Sequence, residues 1–174
     1  MVLNIVKFPN PVLRAKGKPI GAITDEIRTL AENMLETMRA ANGVGLAAQQ
    51  VGQPLQLTVI DVADVEDRPS TMSIEGKKVD LREWMPLVLL NPQLELGRER
   101  ITGVEGCLSF PEITAEIPRA AVTKARARLL DGRHHQGQLA AGRRVYERVA
   151  RLDRAVGRRG EIETRRRNAR PRDR

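Results

Sequence analysis

Aromatic side chains are nearly missing from this chain: one Trp, one Tyr and two Phe among 174 residues, 2% of the total. With an apolar share of 41%, its core has to be filled by Leu, Val, Ile, Ala and Met. Cysteine occurs once, at Cys107, which excludes an internal disulfide and suits a reducing compartment. Histidine occurs twice, at His134 and His135. No apolar run approaches the roughly 20 residues that a membrane-crossing helix needs. The N-terminus shows no charged segment followed by a long apolar one, so no secretory leader is expected. These absences point to a soluble, cytoplasmic protein of one-domain size with no membrane contact.

Charge is divided unevenly along the chain. Residues 1–132 carry 16 Lys and Arg against 17 Asp and Glu, a net charge of −1. Residues 133–174 carry 14 Arg, no Lys and 5 acids, a net of +9. The whole positive excess therefore lies in an Arg-rich C-terminal segment, and the division predicts two regions, 1–132 and 133–174.

Within the first region the clearest element is a helix from Thr24 to about Ala41. Thr24 is a good N-cap, and Asp25 and Glu26 place negative charge in the first turn, where it suits the helix dipole. Ile27, Leu30, Ala31, Met34, Leu35 and Met38 give one apolar face. Asn42-Gly43 stops the helix, because both residues tolerate a left-handed backbone. Residues 3–8 read as a short strand or extended segment running into turns at Pro9 and Pro11. Leu55–Ile60 alternates as a strand. Residues 63–80 are polar and read as an exposed excursion or hairpin. Leu87–Leu90 is a buried strand halted by Asn91-Pro92. Short strands are expected at Leu94–Leu96 and Arg98–Thr102, and another from Val122 to Leu130, ended by Asp131-Gly132. One helix followed by several short strands, with any later helix at the C-terminus, argues for an α+β fold with antiparallel pairing rather than a doubly wound parallel sheet.

Two glycine-framed motifs carry the chemistry. The first is Glu105-Gly106-Cys107-Leu108-Ser109. A thiolate is a strong ligand for zinc or ferrous iron, and Gly106 lets the backbone approach closely. A backbone N–H just after the cysteine can face a developing oxyanion. The competing reading of a lone cysteine is a small buried hydrophobe. The second motif is Gly43-Val44-Gly45-Leu46-Ala47-Ala48-Gln49-Gln50. Its small residues leave backbone bare for an extended peptide, and Gln50 both donates and accepts hydrogen bonds. The competing reading is a helix C-cap followed by a tight turn. Neither a phosphate loop nor a dinucleotide fingerprint fits, since no Lys-Ser or Lys-Thr follows and no strand precedes.

Taken together with Phe8-Pro9-Asn10-Pro11-Val12-Leu13-Arg14, the first helix and Asn91-Pro92, these motifs make residues 1–132 resemble the peptide deformylases. The resemblance implies an α+β fold and hydrolysis of the N-formyl group of formyl-methionyl peptides during protein maturation. It implies a ferrous iron, or zinc or nickel in its place, held by one Cys and two His. By position, Cys107 would be the thiolate ligand, while Gln50 and the backbone N–H of Leu108 would stabilise the oxyanion. Gly43, Val44, Gly45 and Glu105 would contact the substrate. The protein is expected to be monomeric.

The family's third motif, a helical His-Glu-x-x-His, is absent. That spacing works because residues i and i+4 project from one helix face. His134 and His135 are adjacent, so they point about 100° apart on a helix or to opposite faces of a strand. They read as exposed loop histidines after the Asp131-Gly132 turn. With two ligands and the catalytic Glu missing, activity is expected to be impaired or lost. The alternatives are a non-catalytic protein that binds formyl-peptides, or binds RNA or the ribosome through its basic tail, and a product without a stable fold. The tail itself reads as an out-of-frame translation of a GC-rich gene, as a polyanion-binding arm, or as a merely solvated segment.

Overall fold

The helix forms where its apolar spacing places it. In the computed structural model of the protein, which describes residues 1–65 and 69–140, helix α1 runs Asp25–Ala40 with Thr24 at its N-cap. The Thr24 side chain makes no capping bond to the backbone. It bonds instead to Glu26, whose carboxyl is held below its usual range mainly by that hydrogen bond. At the other end Asn42 takes φ 51° and Gly43 N–H reaches back to Met38 C=O at 2.8 Å, which is the expected stop.

Nine strands follow among the described residues: β1 (Gly45–Ala47), β2 (Leu57–Ile60), β3 (Thr71–Ile74), β4 (Lys77–Val79), β5 (Leu87–Leu96), β6 (Arg100–Cys107), β7 (Phe110–Ala120), β8 (Val122–Arg128) and β9 (His134–Ala140). A short helix, α2 (Leu81–Trp84), precedes β5. Seven strands form one sheet in the order β1-β2-β5-β8-β9-β3-β4, while β6 and β7 pair separately as a ribbon. Every pairing between these nine strands is antiparallel. This is the α+β class the element order predicts.

The sheet is buried on both faces where β2 and β5 lie. Leu57, Val59, Val88 and Leu90 pack with Met34, Met38 and Ala31 of α1. Ile60, Leu87 and Leu89 face a second cluster with Val62, Met72 and Ala125. Burial on both sides explains why Leu87–Leu90 is an unbroken apolar run. Methionine and aliphatic side chains fill both clusters, as the shortage of rings requires.

Four expectations need correction. Asn91-Pro92 does not halt β5. The register shifts between Leu90 and Gln93, and the strand continues to Leu96. Asn91 takes φ 52°, so the pair makes a bulge, where a proline without an N–H is tolerated. The Asn91 side chain then clamps Ile20, accepting from its N–H at 2.7 Å and donating to its C=O at 2.8 Å. Second, the strand expected over Arg98–Thr102 extends to Cys107, where β6 turns into an 11-residue β7 that the polar sequence concealed. Third, His134 and His135 are not in a loop. They start β9, opposite Arg128 and Ala127 of β8, because Asp131-Gly132, with Gly132 at φ 86°, turns the chain back into the sheet rather than out of it. Fourth, residues 3–8 form no strand, although their backbone is hydrogen-bonded at Val6 and Phe8.

The excursion at 63–80 does contain a hairpin, β3–β4, turned by Glu75 and Gly76 at φ 50° and 81°. Since β9 lies between β8 and β3, the fold continues past residue 132 through Ala140. The expected later helix and the rest of the Arg-rich segment lie outside the described residues. Among the described residues no helix is long and apolar enough to cross a membrane.

Candidate functional site

The two glycine-framed motifs meet. After β1 the chain makes a short 3-10 turn, Ala48–Val51, which carries the Gln50 side chain inward until it is 4% exposed. Its Oε1 accepts from Ala47 N–H at 3.1 Å. With the oxygen held, the amide nitrogen is aimed across at the other motif. It donates to Ser109 Oγ at 3.3 Å and approaches Cys107 Sγ at 3.8 Å. A buried amide placed this way has both ends partnered, which is what a rigid donor requires.

Cys107 ends β6 and is half-buried. It pairs with Phe110 across a two-residue turn, Leu108-Ser109, and the ladder shifts register just before it, between Gly106 and Cys107. Ser109 is 1% exposed. Leu108 packs into the α1-side core, and its side chain occupies the space that a Cβ at Gly43 would need: the ideal position lies 2.8 Å from Leu108 Cδ1 and 3.2 Å from Met38 O. The bareness of Gly43 therefore serves this internal contact. Val44 accepts from Asp61 N–H at 3.0 Å. Gly45 opens β1, the terminal strand of the sheet among the described residues, opposite Ile60.

Glu105 is engaged within the ribbon. Arg119 of β7 grips both its carboxylate oxygens, at 3.2 and 2.9 Å, and Arg119 is 7% exposed. A two-bond guanidinium–carboxylate pair is the strong form of this interaction, and it braces the strand that carries Cys107.

The structure thus brings Gln50, Cys107, Leu108 and Gly43 together, with Val44 leading into β1 and Gly45 opening it. It does not bring the histidines into that group as a metal cluster. His134 is exposed, and His135 is 3% exposed with its ring 6.0 Å from that of Trp84. Adjacent residues on a strand face opposite ways. Among the described residues no group of three or more His, Cys, Asp or Glu could hold a metal ion. Residues 141–174 contain neither His nor Cys. The chain's one Cys and two His do not come together as a single donor set among the described residues.

Several participants carry no sequence signal of their own. Ser109 lies inside a motif but is not marked as a partner of Gln50. Arg119 is one of many arginines. Lys7 and Phe8 reach the Leu108-Ser109 turn from the far end of the chain, and only the fold reveals that.

The chain matches the family model described as polypeptide deformylase over residues 2–143. It is 45% identical over 133 residues to a peptide deformylase of Methylacidiphilum infernorum, covering 76% of this chain and 70% of that protein. It is 44% identical over 121 residues to one of Opitutus terrae, covering 68% and 62%. The fold is similar to the crystal structure of peptide deformylase from Thermotoga maritima, with a TM-score of 0.71 and 30% identity over 88% of this chain and 92% of that one.

Proposed function

Because the chain belongs to the polypeptide deformylase family, a family of metal-dependent enzymes that act on peptides, we propose that it binds N-formyl-methionyl peptides at the junction of its two glycine-framed motifs. The Gln50 amide is the observation that carries this reading. It is buried, held by Ala47 N–H, and aimed at Cys107 and Ser109. In that position it donates to the formyl oxygen, together with the backbone N–H of Leu108. An extended peptide lies against β1, with Val44 and Gly45 offering backbone contacts as a strand edge does. Gly43 contributes by letting Leu108 close over it, and Glu105 by holding the ribbon through Arg119.

Hydrolysis in the family draws on a metal, for which iron, zinc and nickel are the candidates, with Cys107 as a ligand. The chain supplies one thiolate and two adjacent histidines on β9, and no residue is identified as the general base. We therefore propose peptide recognition with hydrolysis impaired or lost. A missing general base alone accounts for about 10²–10⁴-fold in rate. For the Arg-rich segment 133–174, whose first part enters the sheet as β9, RNA or ribosome binding is the candidate role. A monomer in a reducing, cytoplasmic setting completes the proposal.

The test joins metal analysis, a deformylation assay and calorimetric binding of a formyl-Met-Ala-Ser peptide. Binding that is weakened by Gln50→Leu, with turnover far below that of a complete deformylase, supports the proposal. Full turnover with stoichiometric metal overturns the impairment. Equal affinity for formylated and unformylated peptide overturns the site.

A further inference from the structure

The two halves of the proposed site belong to separate structures. Gln50 follows β1 in the seven-stranded sheet, whereas Cys107, Leu108 and Ser109 form the tip of the β6–β7 ribbon. Something has to hold the tip at a fixed distance from Gln50. We propose that the N-terminal segment Val6–Phe8 is the clamp that sets this distance, with Lys7 and Phe8 as positioning residues for formyl recognition. The role in recognition rests on the function proposed above, whereas the clamp itself does not.

The segment is tied to both motifs by its backbone. Val6 N–H donates to Gln50 C=O at 2.8 Å, and Phe8 N–H donates to Ser109 C=O at 3.0 Å. Two residues of one short segment thus touch each motif once, so the motifs are tied together with a single residue, Lys7, between the two bonds. Lys7 lies between them, and its Nζ donates to Leu108 C=O at 2.7 Å. Two successive carbonyls of the turn, those of Leu108 and Ser109, are held by two successive residues of the clamp.

The side chains reinforce the backbone. The Phe8 and Phe110 rings stack with centroids 4.9 Å apart at 22°. The Arg14 guanidinium sits 5.3 Å from the centroid of the Phe8 ring, a favourable cation–π arrangement. These are the only two phenylalanines in the sequence, and Phe8 is 44% exposed. Both serve to fasten the turn beside Cys107 rather than to fill the core. Fastening at that point holds the Leu108–Ser109 and Ser109–Phe110 peptides and thereby restrains the adjoining Cys107–Leu108 peptide, which carries the Leu108 N–H. A pair of donors works as an oxyanion site only if their spacing is preset.

The experiment compares Lys7→Met, Lys7→Arg and a matched loss of surface charge, Lys16→Met, in the full chain. Amide hydrogen exchange at Val6 and Phe8 is read by NMR, and the affinity for formyl-Met-Ala-Ser by calorimetry. Losing one hydrogen bond of this kind corresponds to about a 3- to 10-fold change. Lys7→Met is expected to speed exchange at Phe8 and weaken the formyl-peptide by that factor, with Lys7→Arg restoring both. If exchange in Lys7→Met matches that in Lys16→Met, the clamp is overturned. If exchange rises but affinity holds, the clamp stands as a structural device and its role in recognition is overturned. If the unmodified protein binds no formyl-peptide, the proposed function fails, and the exchange data still decide the clamp.

Discussion

Two polar side chains are buried to nearly the same depth in this protein and treated in opposite ways. Gln50 is 4% exposed and His135 is 3% exposed. Gln50 has partners at both ends, from Ala47 on one side and Ser109 and Cys107 on the other. His135 has none: neither Nδ1 nor Nε2 finds a hydrogen bond. It stands on β9, the strand between β8 and β3, with its ring near Trp84 and Gly137. A buried polar group without partners costs stability, whereas one with partners roughly breaks even and gains direction. The contrast separates a built site from a residue the fold merely tolerates. Polarity in the interior is therefore no guide to function in this molecule unless the partners are counted.

The difference can be broken most severely at the brace of the built region. Arg119→Met leaves the Glu105 carboxylate without its partner and should cost about 3 kcal/mol, the scale for breaking a buried pair from one side, measured by urea unfolding. The next effect is at Gln50 itself. Gln50→Leu strands Ala47 N–H and Ser109 Oγ, at about 2 kcal/mol; a loss below a few tenths would mean the amide is not integral to the junction. Gly43→Ala comes third, at about 1–2 kcal/mol, since Leu108 has to shift from 2.8 Å. This variant also moves the turn, so its Leu108 amide resonance should shift, and an unmoved resonance would contradict the packing.

The smallest effect, and the sharpest, belongs to His135. Burial holds its imidazole below the ordinary value of 6.5. The folded state therefore resists protonation that the unfolded state accepts. The contribution is fully present above pH 6.5 and is lost as pH falls below it toward the lowered folded value. His135→Leu should flatten that part of the stability profile and leave stability at neutral pH unchanged or slightly higher. Stability that falls at neutral pH in the variant would reveal a partner for the ring.

Much of the architecture was legible in residue order. The α1 face, its Asn42-Gly43 stop and the doubly buried Leu87–Leu90 run follow from local pattern, because periodicity and backbone preference are properties of neighbouring residues. The strands that escaped notice, β7 and β9, are polar and form because a partner strand exists to pair with. Asn91-Pro92 misled for the same reason: a local breaker became a bulge once β8 could follow it. At the site, the two motifs announced themselves through their glycines and the single thiol. Arg119 and Lys7 did not, and the roles of Ser109 and Phe8 stayed hidden although both stand in those motifs or in Phe8–Arg14, since each acts through a residue far away in the chain.

What the sequence alone determined was the helix, the class of fold, the family signature in residues 43–50 and 105–109, and the adjacency of two histidines that rules out an i, i+4 pair. The tertiary structure decided which carbonyl, amide and ring stand next to each other: Gln50 against Ser109, Leu108 in the space over Gly43, Lys7 on the turn, His135 in a strand rather than a loop. The reason is physical. Local propensity reports on bonds within a few residues, but a hydrogen bond or a packed methyl is set by distances in space, and those exist only once distant segments have folded together.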